Sequence, residues 1–304
     1  MITSLSHNNI DKQKWDSCIQ RSVNGIIYAY SWYLDIVAPG WEGLVEDDYI
    51  SVMPLTCRKK FGIFYLYPPL FTQQLGVFSL NKFTEEKIHE FIEAIPRKYS
   101  FYEINLNTLN KFSSMDMIIH PNLTHELDLI ESYENILEAY SENTRRNLKK
   151  ALAAELVISK QIPASLIINM FRHNNGAKYK NIRSSDYATL ETLIGTAMEK
   201  GRAQIWGVMT KDKRLCAGAF FVESNGKVIF LFSGSNQLAR TNSAMPFLID
   251  RFIEENAHRN LVLDFEGSND PNLARFYKSF GAKECVYLQV KVNRLPWYAR
   301  LFKE

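Results

Sequence analysis

The chain has 304 residues, 46% hydrophobic and 23% charged, with a net charge of +3. That length and balance suit a globular protein of two domains. So small a net charge excludes a surface built throughout to grip nucleic acid, leaving only local basic patches. The four cysteines, Cys18, Cys57, Cys216 and Cys285, are scattered without paired spacing, which excludes a disulfide framework and a cysteine zinc site.

Taken in chain order, Lys12–Gln20 and Ser31–Val37 read as helices. Short strand-like runs follow at Gly43–Val45, Tyr49–Arg58, Ile63–Tyr67 and Gln74–Phe78. A helix spans 84–95 with Thr84 as its N-cap, and Tyr99–Leu106 alternates like a strand. Further on, 144–154 is helical, 155–159 extended, and 163–172 and 185–200 helical again. Strands are expected at 203–209, 216–223 and 228–233, the last two joined by an Asn225-Gly226 hairpin turn. A helix at 246–257, a buried strand at 261–265, a short helix opened by Pro271 and a strand at 286–292 close the order.

This is a mixed α/β (α+β) pattern with largely antiparallel sheets flanked by helices. The two halves share a similar element order, which sets a first domain over 1–140 and a second over 141–292. The closing segment 293–304 is left open to rejoin the first. No basic start followed by an apolar run opens the chain, and the longest apolar run, 61–71, contains Pro68 and Pro69. The expectation is a cytoplasmic protein with no transmembrane segment. His120 and His125 flank Pro121 without a ligand partner at zinc spacing, so no metal is expected.

The stretch Asp264-Phe265-Glu266-Gly267, followed by Phe276-Tyr277-Lys278-Ser279-Phe280-Gly281-Ala282, resembles the GNAT acyltransferases. In that family a strand and helix carry Tyr-x-x-x-Gly-Phe; Tyr277 and Gly281 keep the spacing, and Ala282 replaces the phenylalanine. Two such halves in one chain resemble the Fem peptidyltransferases, which add amino acids to peptidoglycan precursors from aminoacyl-tRNA. Thr144-Arg145-Arg146-Asn147-Leu148-Lys149-Lys150-Ala151 is similar to the Fem segment that opens the second half. The resemblance implies two tandem GNAT-like domains and acyl transfer to an amine, on a cell-envelope, sugar or peptide precursor. The leading reading takes the acyl group from an acyl-CoA thioester, and charged tRNA is the alternative. Tyr277, where Fem enzymes have lysine, implies acetyl-CoA or another acyl-CoA as co-substrate, whereas the doubled chain implies charged tRNA. A non-catalytic binding protein of the same fold is the third reading.

The resemblance implies Tyr277 as a catalytic proton donor. Glu266, which stands where the Fem pattern has glycine, and Asp264 lie at the end of an apolar strand just before a helix. A carboxylate there can take the proton of an attacking amine, and Glu266 is the catalytic candidate. The alternatives are a core tyrosine with a satisfied hydroxyl and a helix cap or salt bridge. Ser268 and Asn269 read as caps. Arg240-Thr241-Asn242-Ser243-Ala244-Met245 stands where GNAT enzymes hold the CoA pyrophosphate, but lacks both glycines. Ser233, Gly234, Arg240, Ser243 and Ala244 are the candidate cofactor-binding residues. Arg145, Arg146 and Lys149, beside Lys150, repel one another on one helix and are candidates for an anionic substrate. Their bland counterpart is a solvated face neutralised by Glu142 or Glu155. The aromatic run 64–69 reads as core packing or as the wall of an acceptor groove.

Overall fold

The computed structural model describes residues 1–81, 84–174 and 182–295. The elements in order are β1 (Ile2–Leu5), α1 (Lys12–Arg21), α2 (Ser31–Val37), β2 (Glu42–Glu46), β3 (Ser51–Leu55), β4 (Cys57–Lys60), β5 (Ile63–Leu66) and β6 (Phe78–Ser79). Next come α3 (Glu85–Glu93), β7 (Tyr99–Asn105), β8 (Ile118–Asp128), α4 (Tyr133–Glu138), α5 (Glu142–Ala153), β9 (Val157–Ser159), α6 (Ala164–Asn174) and α7 (Ser184–Glu199). The last are β10 (Ala203–Met209), β11 (Leu215–Ser224), β12 (Lys227–Ser235), α8 (Gln237–Asn242), α9 (Ala244–Asn256), β13 (Val262–Asp264), α10 (Pro271–Lys278) and β14 (Lys283–Asn293).

The chain divides into two compact units, Met1–Asn122 with the strand from Val286 onward, and Leu123–Cys285. Of the segment 293–304, residues 296–304 lie outside the described residues. The first unit contains an antiparallel sheet in the order β1-β2-β3-β6 and a run β4-β5-β7-β14 in which β5 and β7 are parallel. Its core gathers Leu44, Met53, Phe91, Tyr99, Tyr102 and Val290. Strands of the second unit run β8-β13-β12-β11-β10-β9, antiparallel throughout except between β12 and β13. Helix α9 buries Phe252 face to face on Phe221 of β11, with ring centroids 3.8 Å apart. The surrounding core includes Trp206, Leu248, Phe265 and Phe280. This is the mixed α/β architecture expected from the element order.

Local signals explain several boundaries. Thr84 Oγ1 accepts the Lys87 N–H and opens α3. Asn225 and Gly226, at φ 52° and 69°, make the left-handed turn between β11 and β12. Other expectations are corrected. The run 49–58 breaks at Thr56 into β3 and β4, which join different sheets. Only the end of 74–78 is a strand. There Gly76 sits at φ 94°, and the Asn110 side chain binds the N–H and C=O of Val77, substituting for a strand partner. Strands β1 and β8 and helices α4 and α8 carry too little periodicity to be read: β8 alternates poorly and includes Pro121.

Candidate active site

The parallel strand pair β12–β13 of the second unit builds the site. β12 and β13 pair only over Lys227–Ile229 and Val262–Asp264, yet β12 continues to Ser235. The strands therefore part beyond Ile229 and Asp264. Phe265, Glu266 and Gly267 leave β13 at this fork. Glu266 and Gly267 both adopt left-handed backbone, at φ 54° and 56°. For a glutamate that conformation costs on the order of 1 kcal/mol, so the surrounding contacts must hold it.

Those contacts are specific. Ser268 is buried, and its Oγ donates to the Glu266 carbonyl at 2.9 Å. His125 Nδ1 stands 2.9 Å from the same hydroxyl. Because the serine proton is directed to the carbonyl, His125 is the donor to Ser268, with its proton on Nδ1. Burial lowers the His125 pKa, which favours this neutral form. Asn269 Oδ1 accepts the Leu123 N–H, and Asp270 caps α10 by accepting from Asn272 and Leu273. Ser268 and Asn269 thus hold the turn, and the cap falls to Asp270.

The two carboxyls at the fork differ completely. Asp264 is 1% exposed and fully partnered. Its Oδ1 accepts from Thr124 Oγ1 at 2.5 Å and from the Glu266 N–H at 3.0 Å. Its Oδ2 lies 3.5 Å from Lys227 Nζ, which also meets Glu126 at 2.5 Å. Burial would lower the Lys227 pKa, but the carboxylates of Asp264 and Glu126 outweigh it and hold the ammonium above its ordinary range. Glu266 is half-buried as a residue, whereas its Oε1 is enclosed and has no hydrogen-bond partner among the described residues. Burial pushes its carboxyl up to about 8.

Tyr277 comes to the same fork from α10. It is 5% exposed and stacks on Phe265 with centroids 4.8 Å apart. Its hydroxyl lies 4.0 Å from where a side chain on Gly267 would begin. The core-tyrosine reading and the site reading therefore coincide: the ring is core, and the hydroxyl reaches the Glu266–Gly267 turn. Neighbouring Lys278 faces elsewhere, lining an open cleft of about 550 Å³ with Asn143, Asn272, Arg275 and Phe276.

The remaining candidates lie on other parts of the second unit. Ser233 and Gly234 sit on β12 past its pairing with β13. Gly234 is pressed by α6: a side chain there would meet the Ile167 carbonyl oxygen at 2.5 Å, so packing accounts for the glycine. Arg240 is in α8. Ser243, at φ 59°, ends α8 and opens α9, and its hydroxyl bonds Asn147 Oδ1 at 3.3 Å. Ala244 is 0% exposed and position 246 is proline, so few main-chain N–H groups are presented at this helix start.

On α5, Arg145 donates to the carbonyls of Leu137 and Glu138 at 3.1 and 2.8 Å, capping α4. Arg146, Lys149 and Lys150 are exposed and have no ion pair among the described residues. Glu155 pairs with Lys211 instead. Asn147 lies between these cations in sequence, and its bond to Ser243 brings the basic stretch of α5 to the α8–α9 junction. Sequence reasoning missed His125, Thr124 and Lys227 as members of the fork, because their roles depend on strand pairings distant in sequence. Among the described residues no group of histidine, cysteine and carboxylate side chains could hold a metal. No helix among the described residues is long and apolar enough to cross a membrane.

No family model matches the sequence, and no curated protein is similar to it in sequence. Solved structures are similar in fold. FemX aligns with a TM-score of 0.65 at 12% identity, covering 98% of this chain and 99% of that one. A conserved protein of unknown function from Bacteroides thetaiotaomicron VPI-5482 gives 0.59 at 10%, covering 93% and 97%. The C-terminal domain of a putative lysylphosphatidylglycerol synthetase from Agrobacterium fabrum gives 0.56 at 11%, covering 96% and 94%. The chain has a FemX-like fold over nearly its whole length.

Proposed function

We propose that the chain is an acyltransferase that moves an activated acyl group onto an amine at the β12–β13 fork. The observation that carries this reading is the enclosed Oε1 of Glu266, unpartnered on a strained turn beside the Tyr277 hydroxyl. A buried polar atom without a partner is costly and calls for a ligand or a chemical role. In the ionised enzyme, Glu266 takes a proton from the amine as its nitrogen bonds the acyl carbon. The tetrahedral intermediate then breaks its bond to the donor, and the leaving oxygen or sulfur takes the Tyr277 proton. The part of β12 beyond Ile229 gains no ladder partner from β13, and its main chain is the candidate to polarise the carbonyl.

For the donor we favour an aminoacyl ester carried on tRNA, as the Fem resemblance implies. The exposed Arg146, Lys149 and Lys150 suit a polyanionic carrier, and the buried start of α9 offers little for a pyrophosphate. Acyl-CoA is the second reading, favoured by a tyrosine at position 277, where an acid for a departing thiolate belongs. The two separate on donor consumption in the presence of a peptide amine. Release of deacylated tRNA that weakens with salt and with Arg146→Ala supports the first. Release of free CoA thiol, insensitive to that change, supports the second. If neither donor is consumed, the transferase reading fails and a binding role takes its place.

A further inference from the structure

In the first unit, β4 and β5 form a short hairpin whose turn is Phe61-Gly62. Phe61 is 92% exposed and at φ 51°, conditions under which a phenylalanine contributes nothing to folding and pays for its backbone. Asparagine or glycine would suit the turn better. Arg58, Lys59 and Lys60 precede it, all exposed, and no carboxylate pairs with them among the described residues. The sequence has no aspartate or glutamate anywhere between Asp48 and Glu85. Lys98, whose ammonium lies 5.8 Å from the Phe64 ring, is paired with Glu42 at 2.7 Å. The cations lie over aromatic faces: Lys60 over Phe61 at 5.4 Å, Lys59 over Phe64 at 4.9 Å and Arg58 over Tyr67 at 4.0 Å. Lysines on an edge strand also deter strand pairing, but that leaves Phe61 unexplained.

We infer that this hairpin docks on an anionic lipid surface, with Phe61 entering the headgroup boundary and Arg58, Lys59 and Lys60 meeting lipid phosphates. An apolar tip ringed by cations is the arrangement that binds such an interface. Two of the three cations are lysine ammoniums, which meet phosphates as point charges, and Phe61 stands at an apex. Reading single-stranded RNA would call for a groove with stacking platforms. The inference does not depend on the chemistry proposed for the fork, which lies in the other unit.

The test is flotation of the full chain with vesicles of phosphatidylcholine mixed with phosphatidylglycerol, and with phosphatidylcholine alone. Binding to the mixed vesicles only is expected. Phe61→Asn should weaken it about tenfold while keeping or raising the melting temperature, since asparagine tolerates the turn. Each of Lys59→Gln and Lys60→Gln should weaken it about fivefold. Absence of binding to the mixed vesicles overturns the inference. So does binding that these well-folded variants leave unchanged, or a hairpin-dependent affinity for single-stranded RNA without vesicle binding.

Discussion

Asp264 and Glu266 are two residues apart at the end of one strand, and the molecule treats them in opposite ways. Asp264 points into a network in which Thr124, Lys227 and the Glu266 N–H satisfy it, so its role is structural. Glu266, turned by its left-handed backbone, places Oε1 where nothing answers it. Residue type and position in sequence are nearly the same, and only the partners differ. A carboxyl with both oxygens partnered is held by its donors, whereas an enclosed, unengaged one titrates near the pH at which proton transfer is useful.

The comparison breaks most readily at Glu266 itself. Under the transferase reading, Glu266→Gln should lower kcat/KM by about a hundredfold or more, measured by donor consumption, while the chain stays folded. The wild-type kcat/KM should rise with pH and level off above about 8, as the carboxyl ionises. A glutamine variant as active as wild type would leave the two carboxyls equally structural. Asp264→Asn is expected to act on stability, by about 3 kcal/mol in urea unfolding, because it weakens a buried charged network. Little loss there would mean that Glu126 alone satisfies Lys227.

The turn supplies a smaller effect. His125→Ala should cost about 1–2 kcal/mol by removing the donor to the Ser268 hydroxyl, and should draw the Glu266 pKa down as water enters. His125→Asn, which keeps a donor near the Nδ1 position, should recover most of both. The smallest expected effect separates Arg145 from its neighbour. Arg145→Ala should lower the melting temperature slightly through the lost cap on α4 and leave salt dependence alone. Arg146→Ala should do the reverse under the tRNA reading, reducing the slope of affinity against salt by about one.

Much of the fold was legible because it rests on local chemistry. Helix α2 and strand β10 fall where periodicity placed them, Thr84 caps α3, and Asn225-Gly226 turns the hairpin. The misreadings have tertiary causes. Residues 74–78 look extended, but Asn110 and Asn24 hold them by side-chain bonds from afar. Strand β8 has no clean alternation, because its first residues are exposed and its last are buried between β13 and the turn it supports. At the fork, Tyr277 could be picked out from the spacing of a resembled motif, and Glu266 only by its place, with Asp264, at a strand end before a helix. Nothing in the sequence distinguishes Glu266 from Asp264, since the difference arises from Thr124, Lys227 and His125, brought in by strand pairing.

The most direct test of the unpartnered carboxyl is its titration, followed by carbon-13 NMR of glutamate side chains, with the Glu266 signal identified by its disappearance in Glu266→Gln. A midpoint near 8 is expected. The folded form then binds a proton that the unfolded chain releases near 4.5, so stability falls between those values as pH rises and Glu266→Gln relieves the loss. A midpoint near 4.5, with no pH-dependent difference in stability between the two proteins, would show that Glu266 is solvated or partnered and would contradict the account.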